Sequence, residues 1–179
     1  MMTITTLLLA HLVADFPLQT NSIVKMKNNG FKGLGLHVLI HVLVLALLIK
    51  NPLHYWPMLL ILATAHFITD WAKVHMHHKL QTPGFIADQI IHILTLVILA
   101  SIMPEVQSTL PEWFLFPAII LALIPAFLTL FWVIAGDFLR KESYTKYPKL
   151  HWASTHLHPI SRSMSVIVMV LLIATAILI

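Results

Sequence analysis

Apolar positions gather into six long stretches separated by short polar or proline-bearing segments, and the stretches approach the length of about 20 residues that a helix needs to cross a bilayer. Their limits are roughly Thr3 to Leu18, Gly33 to Ile49, Tyr55 to Lys73, Gly84 to Ile102, Trp113 to Gly136 and Ser161 to Ile179, two of the six being short. Proline marks the breaks: Pro17 follows the first stretch, Pro52 and Pro57 precede the third, Pro83 the fourth, and Pro104 and Pro111 the fifth. The pattern predicts an all-α, polytopic integral membrane protein of about six transmembrane helices. It predicts one membrane domain over residues 1–179, in which 1–102 form a four-helix core and 103–179 add two further helices with a basic cytoplasmic loop.

Four of these stretches carry a polar pair that an apolar helix does not hold without a reason. His11 with Asp15, His37 with His41, His66 with Asp70, and Asp88 with His92 each stand four positions apart, which puts both side chains on one helical face, one turn from each other. An ionised carboxylate inside a bilayer is costly unless partnered, so intramembrane acids point to function. The chain has seven acidic residues, and the three inside or at the edge of apolar stretches (Asp15, Asp70 and Asp88) each have a histidine at this spacing. The two hairpins also echo one another. Each has His-x-x-x-Asp on its first helix and a pair ending in His on its second, with 22 residues from Asp15 to His37 and 18 from Asp70 to Asp88, as in an internal repeat about an axis along the membrane normal.

Composition supports the membrane reading: hydrophobic residues make up 59% of the chain, charged residues 10%, and the mean hydropathy is +0.88. The N-terminal stretch has no basic region and no small-residue cleavage site, and it contains His11 and Asp15, so it does not read as a removable signal peptide. With no cysteine, disulfides and thiolate metal sites are excluded and any metal is held by His, Asp and water. That donor set favours zinc, with iron or manganese as alternatives, over copper(I).

The net charge of +4 changes the picture through its placement. Lys25, Lys27 and Lys32, then Lys73 and Lys79, then Arg140, Lys141, Lys146, Lys149 and Arg162 fall on one side of the predicted membrane; Lys50, Glu105 and Glu112 fall on the other. Basic residues so distributed serve topology rather than nucleic-acid binding, and the positive-inside rule assigns the richer side to the cytoplasm. The expectation is a multi-pass protein of the inner (plasma) membrane with both termini outside. In that orientation all four pairs lie at a similar depth, toward the cytoplasmic side, where eight donors converge. Five His and three Asp are enough for one or two ions, and three carboxylates with one hydroxide balance two divalent cations.

Around the pairs, Gln89, Gln19 and Asn21 are candidates to hydrogen-bond the ligands. Lys73, one turn past Asp70, is placed to pair with a carboxylate, to hold a substrate anion or to snorkel to the interface, the last being favoured. Arg140 and Arg162, at the inner ends of the last two spans, are candidates to hold a substrate anion or to anchor the spans. The segment from Asp137 to Arg162, with Tyr144, Tyr147, Trp152, His151, His156 and His158, reads as an interfacial loop. His75, His77 and His78 read as solvated loop histidines outside the site.

The stretches LLLAHLVADFPLQT, GLGLHVLIH, HFITDWAK and FIADQIIH, in this order and spacing, resemble the bacterial membrane proteins grouped as domain of unknown function 3307. The resemblance covers roughly Leu7 to Leu94 and implies a multi-spanning membrane protein without an established activity. The His-x-x-x-Asp pairs are also similar to those of zinc-dependent phospholipase C and related phosphoesterases, and of small membrane proteins regarded as metal-dependent hydrolases. The N-terminal Trp and the Glu that those enzymes use have no counterpart here.

Two functions from different classes fit these residues. One is a membrane-embedded metal-dependent hydrolase acting on a lipid or lipid-linked phosphoester from the cytoplasmic side, its substrate entering sideways between spans. Its attacking water would be activated by the metal, with Asp70 and Asp88 as candidate catalytic groups. The other is a transition-metal or proton transporter or sensor using the same cluster. The outer halves of the first four stretches hold few polar groups, chiefly Thr3, Thr5, Thr6 and Thr95, which favours a site open on one side. A di-iron oxidoreductase is disfavoured because no stretch supplies a bridging Glu.

Overall fold

The computed structural model describes residues 2–75, 81–103, 105–141 and 147–178 as seven helices and their connections. They are α1 (Met2–Asp15), α2 (Asn21–Asn28), α3 (Phe31–Leu48), α4 (Trp56–His75), α5 (Gln81–Ile102), α6 (Glu112–Lys141) and α7 (Pro148–Leu178). A 3₁₀ turn, Pro52–Tyr55, precedes α4. Among the described residues the extended pairing is confined to one antiparallel bridge between Ile49 and Ser108. Nearby, the Thr109 amide donates to the Leu48 carbonyl at 2.9 Å and its hydroxyl to that of Leu47 at 3.0 Å. These bonds satisfy carbonyls that the end of α3 leaves without helical partners.

Local chemistry sets the helix ends on the side that carries the site. Pro17 cannot continue α1, which stops at Asp15. Thr20 then caps α2, its hydroxyl accepting from the Ile23 amide. Gly30 opens α3 at φ 131°, a conformation that a side chain disfavours. Gly33 allows α2 to fold back onto α3, because a Cβ there would overlap the Met26 carbonyl and the Lys27 backbone nitrogen.

Helices α1, α3, α4 and α5 close a ring, α1 against α3 and α5, α3 against α4, and α4 against α5. Each contributes to the seam one buried stripe at spacings of three or four: Leu7, His11 and Asp15; His37, His41 and Leu45; Met58, Leu62, His66 and Asp70; Asp88, His92, Leu96 and Leu99. The spacing divides the bundle seam into layers. Asp15, His37, Asp70 and Asp88 form one, His11, His41, His66 and His92 the next, and Leu7, Leu45, Leu62 and Leu96 the third. Helix α6 packs on α1 and α5, and α7 packs along α6.

Four helices, α3, α5, α6 and α7, are long and apolar enough to cross a membrane. The expectation of six spans therefore has four full-length members. Helix α1 has 14 residues, about 21 Å at 1.5 Å per residue, and buries ten of them among α3, α5 and α6. Helix α4 has 20 residues but carries His66, Asp70 and Lys73, which lower its hydropathy. Its remaining faces expose Leu60, Ile61, Ile68 and Trp71, as the lipid-facing side of a bundle would.

The expected loop from Asp137 to Arg162 is largely helical. Helix α6 continues to Lys141, and α7 begins at Pro148, where the fixed φ of proline suits a first helical turn and its missing N–H leaves no bond unmade. Asp137 is thus a fourth acid within an apolar helix. It has no histidine four positions away and instead caps a neighbour: the Thr82 amide donates to its carboxylate at 2.5 Å, holding the start of α5. The Trp132 indole donates to the Ser154 carbonyl at 3.0 Å, and the Ser161 hydroxyl to that of Pro125 at 3.0 Å, tying α7 to α6. His77, His78, Lys79, Pro104, Tyr144 and Lys146 lie outside the described residues. His75, at the end of α4, is exposed and bonds to the Trp71 carbonyl of its own helix.

Candidate metal centre

All eight paired residues are buried, and their polar ends meet in the Asp and His layers. Four donor atoms, from Asp15, His37, His41 and His66, lie within 4.8 Å of one another, and so do three from His66, Asp70 and His92. In the first group one oxygen is the focus. Asp15 Oδ1 stands 3.0 Å from His41 Nε2, 3.1 Å from His37 Nε2 and 3.8 Å from His66 Nε2. His37 Nε2 and His66 Nε2 stand 3.3 Å apart.

Those distances test whether the residues suit an ion. With metal bonds of about 2.0–2.2 Å, neighbouring ligand atoms of a tetrahedral zinc site are separated by about 3.3–3.6 Å. The four separations bracket that range. Three imidazoles and one carboxylate therefore place their donor atoms near the corners of a coordination polyhedron. The set is able to hold a divalent transition metal.

Two glutamines contact histidines of the site. Gln89 donates from Nε2 to Asp15 Oδ2 at 2.9 Å, which turns its Oε1 toward His11 Nε2 at 3.2 Å. An oxygen accepts there only if His11 carries its proton on Nε2. His11, expected as a ligand, is thereby occupied as a donor and lies outside both groups. Gln19, the second amide expected beside the ligands, reaches within 3.1 Å of His37 Nε2. No contact of Asn21 with the site is among those found for the described residues.

Two lysines enter the Asp layer. Lys73 donates to Asp88 Oδ2 at 2.6 Å, so it pairs with a carboxylate as well as reaching the surface. Lys27, placed by the sequence pattern among the topogenic charges, is 8% exposed and donates to Asp70 Oδ1 at 2.5 Å. It arrives there because α2 folds back against α3. The usable signals in the sequence were Thr20 as a cap, Gly30 and Gly33 as the means of close approach, and a carboxylate, Asp70, in need of a cation.

The arginines occupy other positions. One terminal nitrogen of Arg162 donates to the backbone carbonyls of Phe16 and Gln19, clamping α7 to the chain just past α1, where a cation suits the helix dipole. Arg140 is half exposed, 3.8 Å from the Asp137 carboxylate.

Lys73 and Asp88 of the Asp layer reach a crevice in the bundle wall. Between α4 and α5, Thr69, Ala72, Lys73, Gly84, Ala87, Asp88 and Ile91 line a crevice of about 100 Å³. On the opposite side, Leu7, Leu45, Leu62 and Leu96 roof the histidine layer and leave a cavity of about 10 Å³, room for about one water. Beyond them Ile49, Met58, Leu99 and Val106 continue the apolar packing.

The family described as protein of unknown function, DUF3307, matches residues 3–120. The chain belongs to this family. The DUF3307 region contains all eight paired residues, both lysines of the Asp layer and both site glutamines, and it runs past Leu94 into α6. Helix α7, with Arg162, lies beyond it. No curated protein and no solved structure matches the chain.

Proposed function

We propose that this DUF3307 protein is a membrane-embedded, metal-dependent hydrolase acting on a lipid or lipid-linked phosphoester from the cytoplasmic side of the inner membrane. The observation that supports the reading is the layering of the seam: a polar centre at ligand-edge distances, with Asp88 and Lys73 of the Asp layer lining the α4–α5 crevice and four leucines packed on the far side of the histidines. A transporter needs a polar route to both faces, and the leucine layer interrupts one. Zinc suits the three-imidazole, one-carboxylate set best, with iron or manganese as alternatives. A divalent ion there supplies Lewis acidity toward a phosphoryl or acyl oxygen and lowers the pKa of a coordinated water.

The chain's own groups then have distinct tasks. Asp88 Oδ1 and His92 Nε2, 3.4 Å apart, are buried without a hydrogen-bond partner, as is Asp70 Oδ2. The two carboxylate oxygens would lie beside a bound ion as acceptors, placed to orient a water and take its proton, with the His92 imidazole facing Asp88. The Lys73 ammonium, 31% exposed and lining the crevice, meets an entering anion before it reaches Asp88.

A screen of labelled phospholipids and polyprenyl phosphates tests this reading. Turnover is expected that a chelator abolishes and that Asp88→Asn removes while the variant still elutes as the folded protein. Metal-dependent ion flux into proteoliposomes, with no lipid turned over, would establish the transporter instead. The orientation has its own check. Cysteines placed at Lys25 and Lys149 are expected to resist an impermeant thiol reagent applied to intact cells, while one at Glu105 reacts; labelling of the first two would put the site on the outer side.

A further inference from the structure

The three carboxylates of the site are not equivalent, and the difference determines how many ions it takes. Lys27 Nζ sits 2.5 Å from Asp70 Oδ1 and Lys73 Nζ 2.6 Å from Asp88 Oδ2. Each ammonium takes one oxygen of its carboxylate, leaving Asp70 Oδ2 and Asp88 Oδ1 without a hydrogen bond, and neutralises a negative charge that a second ion would otherwise balance. Asp15 has no lysine partner among the described residues: its oxygens face His37, His41 and the Gln89 amide. We infer that the centre is mononuclear, with one divalent transition-metal ion held by Asp15, His37, His41 and His66, and with Lys27 and Lys73 supplying the positive charge that a second ion would otherwise bring. This rests on the metal-site reading above.

Charge balance supports the same division. Three carboxylates alone would balance two divalent ions and one hydroxide. With two ammonium groups paired to them, one net negative charge remains, which a single divalent ion and one hydroxide bring to zero. Two ions would leave a large positive charge in a site walled by Leu7, Leu45, Leu62 and Leu96. Geometry agrees, since the first donor group is the larger and the second, His66, Asp70 and His92, shares His66 with it. One imidazole nitrogen does not ligate both ions.

The test is the zinc content of the purified full-length protein in detergent after loading and removal of excess ion. About one zinc per chain is expected for the wild type, with an absorption spectrum at the metal edge showing imidazole neighbours and no second metal within about 4 Å. Asp88→Asn retains that ion and Asp15→Asn loses it. Lys27→Met with Lys73→Met raises the content to about two. If this double variant does not fold, the wild-type stoichiometry and the contrast between Asp15→Asn and Asp88→Asn decide alone. Two ions in the wild type, or loss of the ion on Asp88→Asn with retention on Asp15→Asn, would overturn the mononuclear assignment and leave the metal site standing. A wild-type protein that stays free of zinc, iron and manganese overturns both.

Discussion

Asp15→Asn is expected to lower zinc affinity by more than the roughly 10–100-fold that follows loss of a residue supporting a ligand. Three imidazole nitrogens converge on one oxygen of this side chain, at 3.0, 3.1 and 3.8 Å. It is also the carboxylate of the site without a lysine partner among the described residues. The amide keeps the shape and can still accept from one imidazole, but it brings no negative charge to a buried centre, so its loss exceeds that of any single histidine. Gln89→Ala, which frees the other Asp15 oxygen and unties His11, belongs in the supporting class, with a loss of about 10–100-fold. Competition with a chromophoric chelator measures both. Wild-type affinity in Asp15→Asn would remove this residue from the centre.

Lys27→Ala is expected to destabilise the metal-free protein by about 3–5 kcal/mol, the usual consequence of deleting one partner of a buried ion pair. The pair is enclosed: the Lys27 side chain is 10% exposed and that of Asp70 1%. Without the ammonium, Asp70 keeps a charge that water does not reach. Adding Asp70→Asn to the variant removes the orphaned charge, so the double variant recovers most of the loss, and the two substitutions are strongly non-additive. Lys73→Ala makes a smaller change, because that ammonium is one-third open to solvent. Unfolding in detergent, followed by tryptophan fluorescence, gives the comparison. Equal losses for the Lys27 and Lys73 variants, or simple additivity of Lys27→Ala and Asp70→Asn, would mean that the buried pair is not what holds α2 in place.

Both expectations depend on contacts between helices, and there the sequence is least informative. It determines the all-α membrane class, because runs of Leu, Ile, Val and Ala near span length have few other solutions. It also determines that His11 and Asp15, His66 and Asp70, or Asp88 and His92 share a helical face, since a spacing of four is a local property of an α-helix. Their common depth follows once the basic loops are assigned to one side, and the structure brings all eight into adjacent layers. The layers fix what each residue can do. His11 shares its helix face with Asp15 as expected, yet Gln89, 78 positions away, makes it a donor. Lys27 looks like any loop cation until Gly33 lets α2 fold back, and Asp70, 43 positions on, becomes its partner. Arg162 reads from the sequence as an anion holder or a span anchor, and one of its terminal nitrogens donates to the carbonyls of Phe16 and Gln19. The physical reason is the range of the interactions. Helical periodicity and hydropathy act between neighbours in the chain, whereas the rotation of one helix against another, and so the choice of which buried cation meets which buried carboxylate, is set by side-chain packing summed over the whole bundle.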